Sequence, residues 1–341
     1  MKFERGQARL GFKGCAELAR IESACLAGNP LGDPTLRELP IYLPPGAEES
    51  GAEFPLILVL SGFTGRGHKL LEPHPWFESV AQRYDRAVAA GDAAPAVLAF
   101  PDAFTALGGS QYVNSSATGR YEDHVAEELV PLLEDHLPVA RGRRAVCGKS
   151  SGGFGALHLA MRRPGLFQAV ASLSGDCDFE LCFGTEILGA LRGLVPFDMD
   201  PARFLEEFRR APKLDADGHA VINVLAMSAC YSPNPEAPLG FDLPMELECG
   251  RRLPDVWRRW LTFDPLEACT EHREALAGLE LLHLECGLRD EFNLQWGLRR
   301  LVERLRELDV AHTHLEHPGG HRGIDERYEL VLPRLAEVLG G

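Results

Sequence analysis

The chain has 341 residues, 45% hydrophobic and 25% charged, the make-up of a globular protein with a sizeable core and one or two domains. With 35 Lys and Arg against 50 Asp and Glu, its formal charge is −15. That argues against a nucleic-acid or anionic-membrane binder, whose affinity rests on basic surface, and against a trap for polyanionic substrates.

The opening MKFERGQARLGFKG lacks the apolar core of a secretory leader, and no run approaches the ~18 apolar residues of a membrane span. Short apolar runs then alternate with helical patterns, the signature of an α/β protein. Strands are expected at 37–43 (RELPIYL), 55–60 (PLILVL) and 95–100 (PAVLAF), the first closed by the turn signal Pro44-Pro45-Gly46. A helix is expected over 121–137, interrupted at Pro131. A strand at 144–147 leads into a small-residue helix over 152–163, which Pro164-Gly165 ends. Further strands are expected at 168–173, 279–286 and 311–316. Leu294, Leu298, Leu301, Leu305 and Leu308 repeat at helical spacing, as do Ile324, Tyr328, Val331, Leu335 and Val338, with Pro333 expected to kink or shorten the second helix. Nine cysteines, at 15, 25, 147, 177, 182, 230, 249, 269 and 286, form no CxxC pair. They read as reduced thiols of a cytoplasmic protein, not as a disulfide framework or a zinc ribbon.

The stretch 177–270 breaks this rhythm with Pro, aromatic and Met residues and no strand-like run. It reads as a cap or lid inserted over one end of the sheet, within a single domain spanning 1–341. Roughly 240 to 250 residues then form the α/β body, and the surplus is the insertion.

The sharpest local signal is Gly148-Lys149-Ser150-Ser151-Gly152, the one GxSxG in the chain. A strand runs into it and a helix leaves it, the context of a nucleophile elbow, in which flanking glycines let strand and helix approach and a strained turn presents the serine. The bland alternative is a glycine-rich turn with a surface serine. A phosphate-binding loop is set aside, because Arg143 stands where that motif needs glycine. A serine nucleophile needs a base, an acid that orients the base, and an oxyanion hole. Asp290, in the turn after the strand at 279–286, is the candidate acid, with a helix N-cap as its rival role and Glu285 and Glu291 as weaker alternatives. Of His312, His314, His317 and His321, the last follows Pro318-Gly319-Gly320 at a strand's C-terminal end and is the candidate base. These four histidines lack an HExxH pattern, so no metal is expected. Backbone N–H groups of Ser151 and of Phe63, in the loop after PLILVL, are the candidate oxyanion donors.

At this point IYLPPG, LSGFTG, GGSQYVNS, the GxSxGG elbow followed by Phe-Gly-Ala-Leu, and the final PGGH together resemble the esterase D family, over about 35–176 and 279–339. That family includes S-formylglutathione hydrolases, feruloyl-type esterases and antigen-85-type mycolyltransferases. The resemblance implies an α/β-hydrolase fold, a mostly parallel sheet flanked by helices, with Ser150 as nucleophile, Asp290 as acid, His321 as base, and Phe63 and Ser151 as the oxyanion hole. By the same matching Tyr112 lies near the pocket. Gly65 replaces the cysteine of the LSGLTC that S-formylglutathione hydrolases carry. Trp257 and Trp260 are candidate pocket residues or, equally, core of the insertion.

The expectation is a cytoplasmic serine esterase that acts on a small-molecule carboxylic ester or thioester through an acyl-enzyme, without cofactor or metal, and without nucleic-acid or membrane partners. A homo-oligomer is left open. The rivals are an acyltransferase using the same triad and a non-catalytic binding protein on a hydrolase fold.

Overall fold

A computed structural model describes residues 2–4, 11–210 and 215–340. Much of the N-terminal stretch read for a leader, and 211–214 of the expected insertion, lie outside them. Nine strands form the main sheet: β1 (Lys2–Glu4), β2 (Cys15–Glu22), β3 (Leu36–Leu43), β4 (Phe54–Leu60), β5 (Val97–Ala99), β6 (Val139–Lys149), β7 (Ala169–Leu173), β8 (Leu281–Gly287) and β9 (Thr313–His317). Their order across the sheet is β1-β2-β3-β5-β4-β6-β7-β8-β9. From β5 to β9 neighbours run parallel, while β1, β2 and β3 add an antiparallel edge.

Alternation along each strand divides the core into two layers. Ile57 and Val59 on β4, and Ala145 and Cys147 on β6, face α1 (Val80–Ala90) and the C-terminal helix. Leu56, Leu58 and Leu60, with Val146, face the other layer, which contains α2 (Ser151–Arg162) and the helices of the segment between β7 and β8. That segment contains α3 (Phe179–Leu194), α4 (Pro201–Phe208), α5 (Ala216–Tyr231), α6 (Pro254–Leu261) and α7 (Pro265–Glu271), and among its described residues no strand of the main sheet. The helices α3 and α5 cross closely because Gly189 and Gly193 leave no side chain between them: a Cβ at Gly193 would stand 2.6 Å from Val221. Asp264 ties the segment to itself, accepting the Asp178 and Phe179 N–H groups at the start of α3 and the Leu266 N–H at the start of α7. No helix among the described residues is long and apolar enough to cross a membrane.

Seven expected strands appear within a few residues of their predicted positions. Two further strands, β1 and β2, and the helix α1 go beyond those expectations. In β2, CAELARIE alternates poorly because Glu17 is buried alongside Ala16, Ala19 and Ile21. Pro333 does not shorten the last helix. After α8 (Leu294–Glu307), α9 (Tyr328–Gly340) runs through it. The missing N–H of this interior position forfeits one helical bond, to the Glu329 carbonyl, and Val331, Leu332, Leu335, Ala336 and Leu339 hold the helix on the sheet. Pro131 likewise stays inside a continuous helical stretch, preceded by a π turn over His124–Leu129 that shifts the hydrogen-bond register ahead of it.

Trp257 and Trp260 lie in the aromatic core of the inserted helices, not on a pocket wall. Trp260 is fully buried, its ring packed on Phe183, Tyr231 and Trp257, and its N–H donates to Ser232 Oγ at 2.9 Å. Trp257 donates its N–H to Glu180 and carries the Arg252 guanidinium on its face. Both indoles have their polar edge committed, as buried tryptophans require. Replacing Trp260 with alanine is expected to lower unfolding stability by about 3–5 kcal/mol, read from chemical denaturation.

Candidate active site

The ends of five neighbouring strands bring the candidate residues together. Leu60 pairs with Gly148 and Lys149 with Leu173, so the loops after β4, β6 and β7 leave the sheet side by side. Gly287 pairs with His317, which brings the loops after β8 and β9 together.

The turn after β6 is built by steric exclusion. A Cβ on Gly148 would lie 2.5 Å from the Gly152 backbone, and one on Gly152 would lie 2.2 Å from the Leu60 carbonyl oxygen. Only glycine allows α2 to start so close to β4 and β6. Ser150, between them, is forced to φ 58° and ψ −129°, a strained conformation for a residue with a side chain. Its own N–H donates to the Leu173 carbonyl at 2.9 Å, and its carbonyl accepts the Phe154 N–H at 2.9 Å. The side chain is left free to point off the sheet edge.

There Ser150 Oγ lies 3.0 Å from His321 Nε2, and His321 Nδ1 lies 2.8 Å from Asp290 Oδ2. Asp290 is buried, and its other oxygen accepts the Phe292 N–H at 3.0 Å. Burial pushes the Asp290 carboxyl up, but the hydrogen bond and charge of His321 and the Phe292 N–H outweigh it, and the group is held below its usual range. The N-cap role weighed for Asp290 falls instead to Asn293, which precedes α8. Of the alternatives, Glu285 is buried against His283 and Arg327, and Glu291 accepts the His321 backbone N–H at 2.6 Å. Glu291 therefore fixes the loop that carries His321, as do backbone bonds from Leu288 to His317 and from Arg289 to Gly319. The Phe292 ring meets the His321 imidazole edge-on, 4.8 Å between centroids. His312 turns to the Val310 carbonyl, and His317 to the Gly319 N–H, so the neighbouring histidines do not converge with His321.

The loop after β4 runs alongside the serine. A Cβ on Gly62 would sit 3.4 Å from Ser150 Cβ, which puts the backbone leading into Phe63 beside the serine. Ser151 opens α2, so its N–H has no acceptor within the helix. Tyr112 lies beneath this loop rather than on an open surface. It is 2% exposed, and its hydroxyl donates to the Ser61 carbonyl at 2.9 Å. Gly155 makes room for its ring, since a Cβ there would come within 2.3 Å. Its position makes it a support for the loop. Two polar residues outside the expected set adjoin the site: Gln111, inside the GGSQYVNS stretch, and Asp176, just past the end of β7. The second had a readable signal, since loops at the C-terminal ends of parallel strands gather function.

Comparison with known proteins places this geometry in context. The family model described as "Esterase: Putative esterase" matches residues 35–296. Curated S-formylglutathione hydrolases of Mus musculus and Bos taurus are 30% and 29% identical over 151 residues, covering 42% of this chain and 52% of each of theirs. The match thus spans about half the length of these relatives. A ferulic acid esterase structure superposes with a TM-score of 0.61 at 17% identity, covering 96% of this chain and 99% of the other. An S-formylglutathione hydrolase from Agrobacterium tumefaciens gives 0.60 at 17% identity, over the full length of both. At such identities the likeness carries the fold, a mostly parallel sheet flanked by helices of the α/β-hydrolase type.

Two outcomes follow from the geometry. Gly152→Ala drives a methyl into the Leu60 carbonyl and is expected to cost about 1–3 kcal/mol in denaturant unfolding. Asp290 has a depressed pKa in the folded state, so its contribution to stability is complete above about pH 4 and fades as pH falls through the lower folded value. The stability gap between the wild type and Asp290→Asn is expected to be flat from pH 5 upward and to narrow below it, as read from denaturation at stepped pH.

Proposed function

The chain belongs to the esterase family, and from that premise we propose that it is a serine hydrolase that cleaves a carboxylic ester or thioester through an acyl-enzyme. The observation that supports this most directly is the unbroken chain of contacts from Ser150 Oγ through His321 to Asp290, at 3.0 and 2.8 Å, anchored on a strained serine. His321 Nε2 accepts the Ser150 proton as Oγ attacks the substrate carbonyl carbon. Asp290 keeps Nδ1 protonated, so that Nε2 is the free base, and steadies the imidazolium that forms. The negative charge on the tetrahedral oxygen is taken by the N–H groups of Phe63 and Ser151. Collapse breaks the ester C–O or thioester C–S bond, and His321 returns the proton to the leaving oxygen or sulfur. Water then repeats the sequence on the acyl-Ser150 and releases the acid.

In this reading the helices of 177–270 serve as the cap over the site. Support comes from the approach of α5, whose His219 ring packs edge-on against Phe63, 6.0 Å between centroids. Transfer of the acyl group to an alcohol in place of water uses the same residues, and the partition between acid and new ester on adding methanol measures it.

Ser150→Ala is expected to abolish turnover of 4-nitrophenyl acetate and labelling by a fluorophosphonate probe while the unfolding curve is kept. Turnover retained by that variant would remove Ser150 as nucleophile. Asp290→Asn is expected to lower kcat by about 10³–10⁴-fold, because the imidazole loses its tautomer and orientation.

A further inference from the structure

A second polar cluster adjoins the serine and has no part in the steps above. Gln111 is fully buried and held at φ 54°. Its amide nitrogen donates to Asp176 Oδ2 at 3.2 Å and meets Met227 Sδ at 2.8 Å, while its Oε1 is buried without a protein partner. Asp176 Oδ2 also accepts the hydroxyl of Ser151, the residue after the nucleophile, at 3.3 Å. Met227 lies on α5 together with Asn223 and His219, spaced four residues apart, so the three share one face of the helix. His219 at one end of that face meets Phe63, and Met227 at the other meets Gln111. Asn223 sits between them, 9% exposed, with its Oδ1 buried and unpartnered.

The opposing helix adds a carboxylate. α3 lies antiparallel to α5, with Gly189 against Ala220 and Gly193 against the Asp217 backbone. Continuing that register brings Glu186 to the level of Asn223. Glu186 Oε2 is buried and unpartnered as well. Burial first, then the charge of Asp176, raises the Glu186 carboxyl above its usual range. Burial raises Asp176 to about 6, against the pull of His321, Gln111 and Ser151. Neither carboxylate has an ion-pair partner among the described residues. Arg322, exposed, acts on His219 at the outer end of this face.

The cluster is therefore rich in acceptors and short of donors. A buried acceptor left unpaired costs about 1–3 kcal/mol, and two carboxylates without a cation between them add mutual repulsion. A group with several N–H donors and a positive charge meets both deficits. We propose that Gln111, Asp176, Glu186 and Asn223 form a subsite for an ammonium group on the substrate, so that the enzyme prefers cationic esters to neutral or carboxylate-bearing ones. This rests on the serine-hydrolase reading, for it locates the subsite by its contact with Ser151.

The test is a set of matched substrates. On the acyl side, 4-nitrophenyl 3-aminopropanoate is compared with the butanoate and the hydrogen succinate. On the leaving-group side, 4-(aminomethyl)phenyl acetate is compared with 4-ethylphenyl acetate, and the acetate thioester of 1-thioglycerol with propyl thioacetate. In at least one ammonium pair the cationic substrate is expected to have a kcat/KM about tenfold or more above its neutral partner. Glu186→Gln is expected to collapse that ratio, and Asn223→Leu to reduce it, with the unfolding curve recorded for each. Equal kcat/KM within both ammonium pairs overturns the proposal, as does a ratio that Glu186→Gln leaves unchanged. A preference confined to the hydroxyl pair overturns it in favour of a polyol. Failure of every ester, together with no fluorophosphonate labelling, would instead sink the serine-hydrolase reading.

Discussion

The distance between the Leu60 carbonyl and the first turn of α2 governs the site. The helix starts against the end of β4 because Gly148 and Gly152 present nothing but hydrogen there. That approach leaves the intervening residue no ordinary conformation, so Ser150 takes a positive φ and its hydroxyl is thrown clear of the sheet. Any thickening of this contact moves the serine away from His321 and away from the loop after β4 at the same time. The body of the fold supplies the opposing force. Leu56, Leu58 and Leu60 on one face and Ile57 and Val59 on the other are all fully buried, and their burial holds the strand where the carbonyl must be.

Support for the site is layered around that contact. Tyr112 grips the Ser61 carbonyl from below, and Glu291 grips the His321 backbone from the side. Neither bond touches the reacting atoms. Each fixes a loop whose backbone or side chain must be placed within fractions of an ångström, the tolerance that oriented catalysis demands. Holding the imidazole between two oxygens at 2.8 and 3.0 Å is then a property of the scaffold before any substrate arrives.

The body of the sheet was legible in the sequence because its parallel strands are buried on both faces and read as continuous apolar runs such as PLILVL and PAVLAF. The elbow was legible because its sterics demand particular residues in a particular order. Within the antiparallel edge β3 was legible too, but β2 was not, since Glu17 is buried on it and spoils the expected alternation. Pro333 misled for a related reason: tertiary packing outweighed the local penalty of a proline inside the helix. At the site, Ser150, Asp290 and His321 could be named from strand ends and chain order. The contact of Gln111 with Asp176 and of Asp176 with Ser151 could not, because the three come from separate segments that only the folded chain brings together. The two tryptophans were ambiguous in the sequence since an indole suits a pocket and a core equally well; committed N–H groups decide for the core.

The helical segment between β7 and β8 leaves and re-enters the sheet at adjacent strands whose register, Ala169 opposite Leu281 through Leu173 opposite Glu285, is set by the strands themselves. Its length is therefore decoupled from the geometry at Ser150. Each doubling of such an excursion adds only about 0.6 kcal/mol of closure entropy. Evolution can exchange the whole segment, helices and polar lining together, without disturbing the elbow or the loops after β8 and β9. The fold thus separates into two parts: a frame set by the strand ends, and an inserted module whose length and lining can change without altering their register.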